Sequence, residues 1–390
     1  MRYLVSDADL GEAEAQAAAD VVRSKWLSVG PRTADFETAF AEKMRVEHAV
    51  LVSSCTAGLH LALLAVGVGP GDEVLVPSFT FVASVNAILY CGATPVFVDI
   101  TSEHDFNIDV EDLARKITPR TKAAVVVHLA GYPCEMDTVM SLSDQHGFRV
   151  VEDACHAIGA EYAGKPGSPY AGRRAGTIGH AGCFSFFANK NFVTGEGGMV
   201  VTHDEAIAKT VRLGRSHGMT KTSWDKASGR ASAYDVVQPG FNYRATEITA
   251  AIGLIQLEKL DRHNATRRAM VARYRELLAD HPDLTLPFAD RLDDSAHHIM
   301  PVMLRPGIDR EALRNQLQDA GVQTTLHYPP VHRFSHIAAQ APDPGPLPVT
   351  DDVSARELTL PLHPLLTTDD VDAICEIVTA TLQPKTTPTH

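Results

Sequence analysis

Between residues 48 and 152 the chain alternates short apolar runs with helical patterns. No other feature limits its fold as tightly. HAVLV (48–52) and the runs at 73–76, 94–98, 123–127 and 148–152 read as buried strands. The intervening stretches 56–66, 80–90, 109–117 and 135–146 carry helical spacing. The first of these, TAGLHLALLAV, is apolar nearly all round, which suits a helix enclosed between layers. Strands alternating with helices predict βαβ units and a largely parallel sheet. In such a sheet, ligands sit at the carboxyl ends of the strands.

A further helix is expected over 11–26. Beyond Gly182 the pattern changes to short β-like runs, 182–187 and 198–202, with GEGG between them. Two long helices are expected at 245–260 and 263–280, then a strand (HIMPVML, 298–304) and helices at 309–320 and 368–382. This order predicts a large α/β domain over 1–250 and a smaller C-terminal α+β domain over 251–390. The Pro-rich stretch 341–349 is expected to be a loop, and 385–390 (KTTPTH) to be disordered.

Charge and cysteine usage narrow the function classes. The formal charge is −13. Nucleic acid and anionic membrane surfaces call for a basic footprint, so neither is expected as a partner. The six cysteines include no CxxC pair, which fits buried thiols in a reducing compartment. The acidic N-terminus lacks a signal-peptide layout, and no apolar run is long enough to span a membrane. A cytoplasmic location is expected.

Several motifs fail on inspection. GAEYAGKP (159–166) places Pro166 where a P-loop needs a hydroxyl for magnesium. His327, His332 and His336 cluster in HYPPVHRFSH, but Pro329 and Pro330 break any helix that would align the first two as metal ligands. A substrate-facing loop is the better reading, and no metal is expected.

Three other segments carry chemistry. Glu152-Asp153 ends the run at 148–152, where a parallel strand would present a carboxylate to a ligand. Asp153 could equally cap the next helix. Lys190 follows the apolar run in CFSFFANKN (183–191) and precedes a Gly-rich turn. A lysine held in apolar surroundings has its charged form disfavoured and becomes a nucleophile suited to a Schiff base. Read alone, it is as easily a lysine snorkelling from a strand end. SSCTAG (53–58) lies between a strand and an apolar helix, where free backbone amides make a phosphate site. Its alternative is an ordinary N-cap by Ser54 or Thr56. Together the three supply an amine, a carboxylate for a ring nitrogen and a phosphate cradle, which are the needs of pyridoxal 5'-phosphate (PLP).

At this point the chain resembles the DegT/DnrJ/StrS family of PLP-dependent nucleotide-sugar aminotransferases, of fold type I. The likeness runs from about Trp26 to His332. It is carried by WLSVGPRTADFE (26–37), SSCTAGLHLAL (53–63), GDEVLVPSFTFVAS (71–84), GATPVFVDI (92–100), VEDACHAIGA (151–160), SFFANKNFVTGEGG (185–198), GFNYRATEITAAIGLIQL (240–257) and HYPPVH (327–332). The resemblance implies a mostly parallel seven-stranded sheet between helices. It implies that Lys190 holds PLP as a Schiff base and moves the proton, and that Asp153 pairs with the pyridinium nitrogen. His156 would stand where the family often has Gln, and Phe81 would stack on the ring. Cys55, Thr56 and Ser185 would bind the phosphate, with Cys55 replacing a frequent Gly. Asn242 would reach the phosphate of the neighbouring subunit, which implies a homodimer with shared active sites. His327, Tyr328 and His332 would line the sugar pocket together with the loop bearing Ser28, Gly30 and Pro31. Arg244 would contact the amino donor or the nucleotide.

The implied reaction moves an amino group from L-glutamate to a nucleotide-linked keto sugar. Relatives that dehydrate sugars carry His in place of the lysine, so Lys190 favours transamination. Segment 215–237 resembles that of enzymes acting on 4-keto-6-deoxyhexoses, so dTDP-4-keto-6-deoxy-D-glucose is the expected acceptor. The alternatives are a 3-keto sugar, a cyclitol, or a non-catalytic regulatory protein. The last is disfavoured because Lys190 and Asp153 are both present.

Overall fold

The computed structural model describes residues 1–229 and 232–383. The expected disordered segment 385–390 lies outside the described residues. Twelve strands occur among them: β1 (His48–Val52), β2 (Glu73–Pro77), β3 (Thr94–Val98), β4 (Ile100–Ser102), β5 (Asp105–Ile108), β6 (Thr121–Val127), β7 (Arg149–Asp153), β8 (Ala181–Ser185), β9 (Gly198–Thr202), β10 (Leu284–Thr285), β11 (Met300–Leu304) and β12 (Glu357–Leu360). Seven of them form one sheet in the order β1-β9-β8-β7-β6-β2-β3. β9 pairs antiparallel with both neighbours, and the other pairings are parallel. β4 and β5 make a small hairpin, while β10, β11 and β12 make a separate antiparallel sheet.

Side-chain alternation explains the layering, because successive residues of a strand face opposite sides. Val74, Val76, Ala123, Val125 and Val151 enter the core under the helices Cys55–Ala65 and Val82–Tyr90. Leu75, Ala124, Val126 and Val150 enter the opposite core with Val139 and Met140 of helix Met136–His146. Strands buried on both faces read as unbroken apolar runs, which is how the sequence displays them. A third core packs Phe36, Phe40, Phe184, Phe186 and Phe192 against one another, with Phe36 and Phe192 stacked at 5.8 Å.

The expected strands and helices at 48–152 are present, with ends shifted by a few residues. The two helices expected at 245–260 and 263–280 are instead one helix, Glu247–Leu278. The polar trio Arg262-His263-Asn264 resembles a break. Its side chains are bonded within the fold: His263 to Asp9 at 3.0 Å, and Asn264 Nδ2 to the carbonyl of Ile158 at 2.9 Å. The helix therefore runs through the trio. The sequence reading also omitted the helices Pro31–Met44 and Glu205–Gly214. Pro348, inside the stretch expected to be a loop, is the first residue of helix Pro348–Arg356, a position proline tolerates because its missing N–H has no partner there anyway.

Candidate active site

The carboxyl ends of β1, β2, β7 and β8 open onto one cavity of about 570 Å³. Each contributes through the residues that follow it. After β1, Ser54 caps helix Cys55–Ala65 by accepting from the amide of Ala57 at 3.1 Å. The first-turn amides of Cys55 and Thr56 have no carbonyl within the helix to bond, so they are available to an anion. The helix can start this close to β9 because Gly198 has no side chain. A Cβ there would lie 2.6 Å from the amide nitrogen of Cys55.

After β2, Phe81 forms part of the wall and is 56% exposed. Asp153, the last residue of β7, is buried on the cavity floor. It accepts from Ser84 Oγ at 2.8 Å and from the amide of Cys155 at 3.3 Å. Cys55 Sγ stands 4.0 Å away. The neighbouring carboxylate, Glu152, points to the other face. It accepts from His128 and from the amides of Gly176, Ile178 and Gly179, so it staples the sheet.

Lys190 follows β8 and lines the cavity with Ser185. Its Nζ lies 3.3 Å from Nε2 of His298. Asn191 fixes the state of that imidazole. Its Nδ2 donates to the carbonyl of Ala296 at 2.6 Å, so its Oδ1 must be the atom that accepts from His298 Nδ1 at 3.0 Å. The proton is then on Nδ1, and Nε2 offers a lone pair to Lys190. Burial pushes His298 well below the usual histidine range, and His156 adds to this. Burial likewise lowers His156, and Lys190 contributes.

Segment Thr325–Pro329 closes the cavity. The Tyr328 hydroxyl meets His156 Nε2 at 2.9 Å, which brings His156 to the site. Burial pushes His327 down to about 3, and its Nδ1 lies 2.9 Å from Thr359 Oγ1.

Eight of the residues expected from sequence thus share one cavity: Cys55, Thr56, Phe81, Asp153, Ser185, Lys190, His327 and Tyr328. His156 joins through Tyr328. Six lie elsewhere in a single chain. Gly30 and Pro31 begin helix Pro31–Met44, whose first amides are held by Glu247, and Ser28 is on the exposed turn before them. His332 bonds Ser78 Oγ at 2.6 Å. Asn242 is exposed beside Ser216, and Arg244 donates to Ser216 Oγ.

Residues 8–379 match the model of the DegT/DnrJ/EryC1/StrS aminotransferase family. The chain belongs to that family. Spore coat polysaccharide biosynthesis protein SpsC of Bacillus subtilis is 39% identical over 377 residues, covering 95% of this chain and 94% of SpsC. Among solved structures, Helicobacter pylori PseC, an aminotransferase involved in the biosynthesis of pseudoaminic acid, superposes with a TM-score of 0.89. Identity is 30%, with 98% of this chain and 99% of PseC covered. S. venezuelae DesV in complex with a ketimine intermediate gives a TM-score of 0.86 at 36% identity, covering 95% of each chain.

The aminotransferase family is PLP-dependent, and the residues present fit that group. The cavity offers an amine, a buried carboxylate, a helix N-terminus and an aromatic wall. His156 Nδ1 is buried without a hydrogen-bond partner, as expected of a donor or acceptor reserved for a ligand. Among the described residues of the aminotransferase, no three metal-ligating side chains converge, and no helix is long and apolar enough to cross a membrane.

Sequence reasoning missed His298, Asn191 and Thr359. The His-His pair before β11 was the one available signal for His298. Nothing in the sequence links it to a lysine 108 positions earlier.

Proposed function

We propose that this sugar aminotransferase moves an amino group from L-glutamate to dTDP-4-keto-6-deoxy-D-glucose, giving dTDP-4-amino-4,6-dideoxy-D-glucose. The observation that carries the reading is Lys190 Nζ facing an imidazole lone pair in the cavity that also holds Asp153 and the Cys55 helix terminus. Bound PLP supplies the carrier for the amino group and the electron sink for the carbanion.

This chain's residues would do the rest. The amides of Cys55 and Thr56, with Ser185, bind the phosphate. Asp153, held by Ser84 and the Cys155 amide, would hold the ring nitrogen, Phe81 would stack on the ring, and His156 would bond to it. Lys190 would hold the cofactor and would serve as the base and acid for the proton at the substrate carbon. His298 accepts a hydrogen bond from Lys190 and so aims its lone pair.

The sugar would lie against His327 and Tyr328. Asn242 belongs to the second part of the proposal, a homodimer whose sites are completed by the partner; Ser28, Gly30, Pro31 and His332 remain proposed for the sugar. The exposed rings of Phe81 and Phe187 at the cavity rim would then be covered. The proposal also keeps the division at about residue 250 and the cytoplasmic location. The names of SpsC, a spore coat polysaccharide biosynthesis protein, and PseC, an aminotransferase involved in the biosynthesis of pseudoaminic acid, support a sugar substrate.

The test is to convert PLP-loaded enzyme with L-glutamate, remove 2-oxoglutarate and add the dTDP-4-keto sugar. Return of the lysine-bound cofactor absorbance, with an amino sugar found by mass spectrometry, is the expected result. A normal glutamate half-reaction with no return would reject this sugar and direct the search to 3-keto sugars and cyclitols.

A further inference from the structure

Glu357 begins β12 and is 1% exposed, yet among the described residues no ion pair reaches its carboxyl group. Its Oε2 accepts from the backbone amide of His327 at 2.9 Å, and its Oε1 lies 2.5 Å from Thr359 Oγ1. Thr359 Oγ1 in turn lies 2.9 Å from His327 Nδ1. The three groups form an unbranched chain, Glu357–Thr359–His327, that ends on a ring lining the cavity.

Arg310 and Arg314 are near enough to favour the charged form of Glu357, but neither pairs with its carboxylate, and burial outweighs them. Arg310 spends Nη1 on the carbonyls of Ser354 and Glu357, and Arg314 pairs with Glu311. Tyr328, His156 and His298 are the other titratable neighbours; burial holds the Tyr328 hydroxyl protonated and both imidazoles neutral. Burial, with the nearby charge of Lys190 adding to it, keeps the His327 ring neutral. A buried carboxylate without a cation is costly, so the neutral acid is the resident form. Burial pushes Glu357 up to about 8.

The single hydroxyl proton of Thr359 makes the chain directional. With Oε2 occupied by an incoming N–H, the acid proton of Glu357 sits on Oε1 and is donated to Thr359 Oγ1. The threonine then donates to His327 Nδ1, and the imidazole proton must be on Nε2. When Glu357 ionises, every arrow reverses. Thr359 donates to the carboxylate and accepts from Nδ1–H, and Nε2 becomes an acceptor.

We propose that Glu357 is a positioning residue that acts through Thr359 to set the proton of His327 on Nε2, making that nitrogen a hydrogen-bond donor into the cavity. Resting on the sugar reading above, its target is a hydroxyl or carbonyl oxygen of the keto sugar. The same chain converts the donor to an acceptor in mildly alkaline solution.

The decisive measurement is the ¹⁵N spectrum of histidine-labelled, PLP-loaded, full-length protein between pH about 6 and about 9.5. Signals absent from His327→Gln assign the ring. The expected wild-type result is Nε2–H at neutral pH, with the proton moving to Nδ1 around pH 8. Glu357→Gln places an amide donor against Thr359 and should hold Nε2–H throughout. Thr359→Val should abolish the pH step while leaving Glu357 in place. Protonated Nδ1 at neutral pH, no tautomer change across the range, or a change that survives Thr359→Val would each overturn the proposal. The sugar reading is tested separately. KM for the keto sugar should rise on the order of five-fold through the same step in wild type and stay flat in Glu357→Gln. A tautomer change without a KM change would retain the relay and reject the sugar contact.

Discussion

His298 is the residue on which the orientation of Lys190 depends. Asn191 holds its proton on Nδ1, and the lone pair on Nε2 accepts from the ammonium or amine at 3.3 Å. His298→Leu removes the acceptor and should lower kcat roughly 100-fold with little change in KM, since misaimed groups lose rate before binding. His298→Gln can place an acceptor in the same region and should recover part of that loss. Steady-state kinetics of both variants, beside thermal unfolding, would separate aim from folding. Equal losses in the two variants would sink the idea.

The buried histidines also set the acid limit of the fold. His297 and His327 are pushed down to about 3, against an ordinary value of 6.5. Between those values the unfolded chain binds protons that the folded chain refuses. Stability is therefore complete above about 6.5 and falls as pH drops toward 3. Glu357 acts in the opposite sense. Its stabilisation is complete below 4.5 and is lost as pH rises through about 8. Melting temperature should thus decline on acidification below pH 6.5. Glu357→Gln should also lessen the decline on the alkaline side.

At the scale of elements, the phosphate cradle rests on a close approach between two of them. β9 and the first turn of helix Cys55–Ala65 touch at Gly198, where a Cβ would meet Cys55 N at 2.6 Å and the Phe184 carbonyl at 2.8 Å. Backbone atoms cannot swing aside as a side chain can. Gly198→Ala must displace the helix terminus and turn its amides from their target. The expected outcome is about a ten-fold weaker PLP affinity from misplaced donors, measured by titration of the apoenzyme. Unchanged affinity would mean that the cradle lies elsewhere. The same scale shows why Lys190 was legible. A strand, a lysine and a Gly-rich turn are contiguous in sequence, and the turn returns the chain into β9.

For the whole molecule, the expected residues divide into two groups. One lines the cavity of a single chain; the other, with Asn242 and the Ser28–Pro31 loop, lies away from it. If the partner completes each site, Lys190→Ala and Asn242→Ala homodimers should both be severely impaired. Mixing and refolding them should create heterodimers with one site free of both substitutions, and about a quarter of wild-type activity should return. No recovery after verified exchange would place Asn242 outside the partner's site.

The chain's linear order was enough for the layered α/β class and the place of the sheet, and it put Asp153, Lys190 and Cys55 just after its strands, but the alternatives of a helix cap and a snorkelling lysine stayed open until the segments met in one cavity. Apolar periodicity is local, and parallel strands put the residues that follow them on one edge. The long helix Glu247–Leu278 was read as two because bonds from His263 and Asn264 to distant segments are invisible in sequence. His298 and Glu357 escaped for the same reason. One meets a lysine 108 residues away, and the other acts through a threonine on a ring 32 residues from it. Which polar groups lose their water, and which partner replaces it, is decided only when separate elements pack together. That packing selects the protonation states and tautomers of the site, whereas the sequence specifies only which groups are available to titrate.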